Sequence, residues 1–180
     1  SGITLMCFYS VAAFKYLMPF EKYGYDGVFV IMIIFAFAWG GDGIAYFAGR
    51  KFGKHKLSPS ISPNKTVEGA VGAVFGSMII GVLITVVCTY IKPILEGLPQ
   101  ARQLGIGVYL AIIPLGAICA VLGMAGDLFA SSIKRQMEIK DYGNIFPGHG
   151  GILDRFDSLI LITPFILSVL YIVKMFGVNL

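Results

Sequence analysis

The sequence has little charge, few cysteines and almost no histidine. Only 13% of its 180 residues are charged, against roughly 25% in ordinary soluble domains. The three cysteines, Cys7, Cys88 and Cys119, are far apart, and each lies in an apolar run. That spacing excludes a zinc site built from paired cysteines and gives no disulfide framework. The formal net charge of +4 fits loops that face anionic lipid better than it fits nucleic-acid binding.

Apolar residues dominate instead. They make up 57% of the chain, and the mean hydropathy is +0.81. A helix that crosses a membrane needs about 20 mostly apolar residues. One short run and four runs of sufficient length are present, at residues 3–18, 27–49, 66–91, 106–133 and 156–176.

These runs predict an all-α, polytopic integral membrane protein with about five transmembrane helices. We expect one membrane-embedded region over residues 1–180. The chain begins with Ser1 rather than Met, and its first run is short, as a helix cut by truncation would be. No basic segment precedes that run, so it does not resemble a signal peptide. We expect the sequence to be part of a longer protein.

Basic residues divide the breaks between these runs into two kinds. Nine of the 14 lysines and arginines lie in the breaks at residues 49–65 and 131–159. Cytoplasmic loops of membrane proteins carry an excess of basic residues. We therefore predict that both breaks lie on the cytoplasmic side.

Asp42 interrupts an apolar run and is flanked by glycines in AFAWGGDGIAYFAGR. An ionised carboxylate at membrane depth needs a cation, a basic side chain or a water-filled cavity. Two interpretations are open, a functional site or an ion pair with Arg50 or Lys51. The segment that follows, KHKLSPSISPNKTVEG, has lysines and hydroxyls that could hold a phosphate. The alternative is a solvated basic loop in which Thr66 caps the next helix.

Asp127 follows the apolar part of the fourth run. At helical spacing it shares a face with Ser131, Lys134 and Arg135. A carboxylate preceded by an apolar helix and followed by basic residues suits a metal and phosphate site at the membrane surface. The structural alternative is a salt bridge to the basic residues at the end of the same helix.

The segment FPGHGGILDRFDS combines glycines, a histidine and two acids. Glycine amides before a helix N-terminus can approach an anion closely. Asp154 and Asp157 are three residues apart, which predicts one face of the first helical turn, and helix capping is the alternative. Carboxylates suited to Mg²⁺ thus accompany cations suited to phosphates. The combination indicates phosphoryl or nucleotidyl transfer at the inner membrane surface, with these cations: Lys65, Lys134, Arg135, Lys140 and Arg155.

One long pattern carries a family resemblance. The run S-x-x-K-R-x-x-x-x-K-D-x-G-x-x-F-P-x-H-G-G-I-x-D-R-F-D, from Ser131 to Asp157, resembles the signature of the phosphatidate cytidylyltransferases, also called CDP-diacylglycerol synthases. The stretches at residues 39–69 and 123–135 are similar to other stretches of bacterial members. The resemblance covers essentially the whole chain, and it implies that further membrane helices precede this region in the full protein.

The resemblance implies a reaction and its site. CTP and phosphatidic acid would give CDP-diacylglycerol and pyrophosphate with Mg²⁺, on the cytoplasmic side of the bacterial inner membrane. It implies Asp127 and Asp154 as metal ligands, with Asp157 and Asp42 as weaker candidates or ligands of a second cation. A homodimer stays open, and no nucleic-acid partner is expected. Catalytic roles are implied for Lys134, Arg135, Asp154 and Arg155, and substrate contacts for Ser60, Ser62, Lys65, Thr66, Ser131, Lys140, His149, Gly150 and Gly151.

Two other kinds of protein compete with this interpretation. Another CTP-dependent lipid enzyme, such as a polyprenol kinase or an archaeal-lipid cytidylyltransferase, would need the same chemistry with a different acceptor. An ion-coupled transporter would use Asp42 and Asp127 along an ion path. Transporters place polar groups near the bilayer midplane, whereas the charges here cluster towards one surface.

Overall fold

In the computed structural model of the chain, the described residues are 2–18, 26–95, 106–139, 142 and 156–176. The elements are α1 (Gly2–Leu17), α2 (Asp26–Phe35), α3 (Gly41–Phe52), β1 (Lys56–Ser58), β2 (Ser62–Thr66), α4 (Val67–Leu95), α5 (Ile106–Gln136) and α6 (Leu159–Met175). The helix α2 passes through a π-helical turn, Ala36–Gly40, directly into α3. An antiparallel hairpin of β1 and β2 separates α3 from α4.

The predicted all-α membrane architecture is confirmed. Three helical stretches are long and apolar enough to cross a membrane: Gly27–Phe52, Val67–Ile91 and Ile106–Gln136. The apolar helix α6 is shorter than the run predicted there, with 17 residues, because residues 156–158 form a turn before it. The chain is therefore a polytopic membrane protein.

The helix α4 has two different faces. Its exposed face carries large apolar side chains four residues apart, Val71, Phe75, Ile79 and Leu83, each more than half exposed, as expected for a surface in contact with lipid. The opposite face carries the buried Ala73 and Ser77. Small residues on such a face let two membrane helices approach closely.

That close approach is seen where α4 meets α3. A Cβ atom placed on Gly69 would lie 2.9 Å from the carbonyl oxygen of Ala45 and 3.4 Å from the Cα of Gly49. The backbones of the two helices are therefore in direct contact at this point. Because Asp42 lies on α3, this contact also fixes the position of Asp42 relative to α4.

Replacing Gly69 with alanine is expected to destabilise the protein by about 1–3 kcal/mol, since overpacking of a tight contact costs that much. The added methyl would also lie 3.0 Å from the Thr66 hydroxyl. Thermal unfolding in detergent measures the change. Gly107→Ala is the matched control, since a Cβ there meets no described atom within 4 Å, and its melting temperature should not fall.

The π-helical turn before α3 affects the direction of Asp42. Each residue advances a helix by about 100°, and a π turn inserts one residue, so the face presented by every later residue changes. The Phe37 carbonyl in this turn accepts a 3.0 Å hydrogen bond from the buried Ser77 hydroxyl on α4. Helix packing thus stabilises a turn that precedes Asp42 by two residues, and the sequence pattern did not predict it.

The hairpin is a second feature that the sequence did not predict. Lys56 pairs with Thr66, and Ser58 pairs with Ser62. Ser58 and Ser62 each precede a proline, which disfavours helical backbone, and both have the extended geometry of a strand. The base of the hairpin is held by the backbone N–H of Val67, which donates to the His55 carbonyl at 3.0 Å, and by His55 Nδ1, 2.8 Å from Glu68 Oε1.

Candidate active site

A cavity of about 620 Å³ lies where α3 ends and α4 begins. The hairpin forms part of its wall, and α5 and the turn before α6 complete it. Three of the four aspartates predicted as metal ligands contribute to the wall. The lining residues are Asp42, Ala45, Tyr46, Gly49, Arg50, Gly53, Lys56, Leu57, Ser62, Asn64, Lys65, Thr66, Gly69, Ala70, Met124, Asp127 and Asp157.

Asp127 forms an ion pair with Lys65, which β2 of the hairpin presents to α5. About a quarter of each side chain is exposed, 23% for Asp127 and 24% for Lys65. The Ser131 hydroxyl, one turn later on α5, donates to Asp127 Oδ1 at 3.2 Å. Among the described residues, the cationic partner of Asp127 thus comes from the hairpin rather than from the end of its own helix, where the structural alternative placed it.

Asp42 and Asp157 are joined through Ser158. The Ser158 hydroxyl donates to Asp42 Oδ2 at 2.7 Å, and the backbone N–H of Ser158 donates to Asp157 Oδ1 at 2.8 Å. In the described part of the chain, Asp42 has no ion pair with Arg50 or Lys51. Arg50 instead donates to the Tyr46 hydroxyl at 3.4 Å, and Lys51 lies 5.3 Å from the centroid of the Phe52 ring.

Asp157 lies in a buried and negatively charged part of the wall. Burial raises the pKa of Asp157 to about 7, and the negative charge of Asp127 acts in the same direction. Asp157 precedes α6, which begins at Leu159, rather than lying in the first helical turn as predicted. Three carboxylates facing one cavity provide the oxygen donors that Mg²⁺ prefers.

The aspartates of the cavity wall do not form a complete metal site by themselves. Among the described residues, no three His, Cys, Asp or Glu side chains are grouped closely enough to hold a metal ion. Magnesium usually binds through one or two carboxylates together with substrate phosphates and water. The donor set therefore fits Mg²⁺ that arrives with a phosphate ligand.

Hairpin side chains add positive and hydroxyl groups to the same wall. Of the predicted substrate contacts, Ser62, Lys65 and Thr66 line the cavity, whereas Ser60 lies in the exposed turn between the strands. The Thr66 hydroxyl accepts a 3.1 Å hydrogen bond from the backbone N–H of Gly69, so its predicted helix-capping role is confirmed. Lys56 was not among the predicted site residues, although it lines the same wall.

Comparison with known proteins places this arrangement in a family. A sequence model described as the cytidylyltransferase family matches residues 1–173. The chain belongs to the cytidylyltransferase family. It is 40% identical over 167 residues to the phosphatidate cytidylyltransferase of Bacillus subtilis (strain 168), covering 91% of this chain and 55% of that protein.

Two staphylococcal relatives give the same result. The chain is 38% identical over 170 residues to the phosphatidate cytidylyltransferase of Staphylococcus saprophyticus, covering 92% of this chain and 58% of the relative. It is 38% identical over 171 residues to the phosphatidate cytidylyltransferase of Staphylococcus haemolyticus, covering 95% of this chain and 55% of that relative. The chain therefore spans little more than half the length of the curated relatives it matches.

Two basic residues of the cytidylyltransferase signature lie beside the cavity, outside its wall. Lys134 is buried, and its ammonium lies 5.5 Å from the centroid of the Tyr142 ring. Its charge acts to lower the pKa of Asp157, against the effect of burial. Arg135 is exposed, and its Nε donates to the Ile61 carbonyl at 3.4 Å. Arg135 thus connects α5 to the tip of the hairpin, and its predicted catalytic role stays a prediction.

The remaining predicted residues of the cytidylyltransferase signature lie outside the described part of the chain. Their predicted roles stay predictions. They are Lys140, His149, Gly150, Gly151, Asp154 and Arg155.

The two basic breaks meet at the same end of the helices. Lys65 from the first break pairs with Asp127, and Arg135 from the second contacts Ile61 in the first. This agrees with the prediction that both breaks lie on one side of the membrane. Asp42, Glu68 and Asp127 lie in the parts of their helices near that end, whereas Asp26 and Lys92 lie at the opposite ends of α2 and α4.

Proposed function

We propose that the full-length protein transfers the cytidylyl group of CTP to phosphatidic acid, giving CDP-diacylglycerol and pyrophosphate for phospholipid biosynthesis. The observation that carries this proposal is that one cavity is lined both by Asp42, Asp127 and Asp157 and by Lys56 and Lys65. The name of the relatives, phosphatidate cytidylyltransferase, supports this choice of substrates.

The position of the cavity along the membrane-spanning helices suits a reaction between a lipid and a soluble nucleotide. Residues 106–126 of α5 form an uncharged stretch of about 20 residues, which at 1.5 Å per residue matches the roughly 30 Å hydrocarbon core. Asp127 would then lie at the boundary between hydrocarbon and head groups. By the positive-inside rule, we place this end on the cytoplasmic side of the bacterial inner membrane.

The proposed cofactor is Mg²⁺. Asp127 and Asp154 would hold it, with Asp157 and Asp42 available to the same ion or to a second cation. When bound, Mg²⁺ would neutralise charge on the phosphates of CTP and on the departing pyrophosphate. The carboxylates of the cavity wall fit this role because oxygen ligands suit Mg²⁺.

The side chains of the protein would position the reactants. A lipid phosphate is already an anionic nucleophile at neutral pH, so the reaction needs no strong general base. It needs cations that overcome the repulsion between two phosphates and align them. Lys56 and Lys65 line the cavity and can bind phosphates directly, and the signature residues Lys134, Arg135 and Arg155 would add positive charge beside it.

A transfer assay tests this function. Full-length protein in detergent is given CTP labelled at the α-phosphate, Mg²⁺ and phosphatidic acid, and the label in the lipid-soluble fraction is counted. A parallel reaction replaces phosphatidic acid with a polyprenol and uses CTP labelled at the γ-phosphate, because a polyprenol kinase would transfer that phosphate. We expect lipid-soluble label when phosphatidic acid is the acceptor and none when the polyprenol replaces it. Label that requires the polyprenol would show that the acceptor is wrong.

A further inference from the structure

Ser158 precedes α6 at the position where a serine usually caps a helix. A serine there normally accepts a hydrogen bond from a backbone N–H two or three residues later. Within the described part of α6, the Ser158 side chain makes no such capping bond. Since Ser158 is only 3% exposed, contacts within the protein, rather than bulk water, direct its hydroxyl group.

The hydroxyl group contacts two carboxylates that belong to different elements. It donates to Asp42 Oδ2 at 2.7 Å. The Ser158 hydroxyl oxygen also lies 3.4 Å from Asp157 Oδ1. The backbone N–H of Ser158 donates to that Asp157 oxygen at 2.8 Å. Asp42 lies on α3 and Asp157 lies in the turn before α6, so this one residue connects two walls of the cavity.

Close packing against α5 holds Ser158 itself in place. A Cβ atom on Gly123 would lie 3.7 Å from the Ser158 Cβ, and one on Gly126 would lie 2.8 Å from the Asp157 carbonyl oxygen. The absence of side chains at these two glycines lets the start of α6 approach α5. Asp127 directly follows Gly126, so the same contact brings Asp157 near a third carboxylate.

We propose that Ser158 is a positioning residue for the cation site, holding Asp42 and Asp157 so that both face the cavity that Asp127 also lines. This inference rests on the proposed function, because the cation is the Mg²⁺ of that reaction. The bonds to Ser158 use one oxygen of each carboxylate, and a divalent cation can bind the other oxygen. The Ser158 hydroxyl would therefore orient these ligands instead of capping α6.

Binding of Mn²⁺ alone, followed by the paramagnetic resonance signal of the free ion, tests this role without nucleotide or lipid. In the full-length protein in detergent, Ser158→Ala should weaken Mn²⁺ binding by about tenfold or more, as is typical for partners that orient metal ligands. Ser158→Thr keeps the hydroxyl and should stay within about threefold of the unmodified protein. The control is Ser168→Ala on the same helix, where the hydroxyl donates to the Pro164 carbonyl at 2.8 Å, and its affinity should not change.

The outcomes separate this role from a purely structural one. A structural role would lower the melting temperature of Ser158→Ala but leave Mn²⁺ affinity within about twofold of the unmodified protein, and that result would overturn the inference. If Ser158→Ala does not fold, Ser158→Cys, a weak hydrogen-bond donor of similar size, is compared on the same criterion. Failure of the unmodified protein to bind Mn²⁺ would overturn this inference, whereas the transfer assay with CTP decides the proposed function separately.

Discussion

Replacing Asp127 with asparagine is expected to lower the rate of cytidylyl transfer by about a thousandfold, the scale of losing a main electrostatic group from an active site. Asparagine keeps the size of the side chain but removes the negative charge that a cation would bind. In the structure, Asp127 lines the cavity and pairs with Lys65, so the substitution changes the centre of the proposed site. The rate is measured with labelled CTP and saturating phosphatidic acid.

A control on the same helix segment separates site chemistry from general effects. Glu138 is an exposed acid just after α5, outside the cavity wall, and Glu138→Gln should retain nearly normal turnover. Both variants should elute as folded protein with similar melting temperatures. If Asp127→Asn keeps more than about a tenth of the activity, Asp127 does not bind the catalytic cation, since loss of such a ligand costs far more.

Replacing Lys65 with methionine is expected to change two measurements in opposite directions. The catalytic efficiency kcat/KM for CTP should fall by about a hundredfold, because a cation beside a reacting phosphate is typically worth that much. The affinity for Mn²⁺ in the absence of CTP should rise by a few fold, because Lys65 no longer competes for Asp127. The physical reason is that a cation bound at Asp127 would displace the ammonium group of Lys65. Lys65 would then remain in the cavity, held by β2, where it could contact the phosphates of CTP.

Lys54→Met is the matched control, since Lys54 is exposed on the same segment and lies outside the cavity wall. It should leave both measurements near their normal values. An equal loss of Mn²⁺ affinity and kcat/KM in Lys65→Met would show that Lys65 only maintains the structure of the site. Unchanged kcat/KM would show that Lys65 does not contact the nucleotide phosphates.

Much of the fold could be predicted because the membrane imposes a simple rule on the sequence. A spanning segment must satisfy its backbone internally and present apolar side chains to lipid, so long uncharged runs correspond to helices. The same rule made Asp42 and Asp127 conspicuous, since carboxylates next to apolar helices are costly without a partner. Both residues were correctly expected to lie together at one end of the molecule.

The rest of the site depends on contacts that a linear pattern does not encode. Lys65 and Asp127 are far apart in the chain, and they meet only because the hairpin folds over the end of α5. Lys56 pairs with Thr66 in the hairpin and lines the cavity. When a segment is predicted only as a loop, the residues that pair across its two strands are not known. The sequence analysis did not single out Ser158, because only the packing of α6 against Gly123 and Gly126 directs it to Asp42.

The position of the label that reaches the lipid tests the proposed function most directly. Full-length protein is incubated with Mg²⁺, phosphatidic acid and CTP that carries its label at either the α- or the γ-phosphate. A cytidylyl transfer predicts that label from the α-phosphate enters the lipid fraction and that label from the γ-phosphate leaves as pyrophosphate. Label from the γ-phosphate in the lipid, with none from the α-phosphate, would identify a kinase and contradict the proposed function.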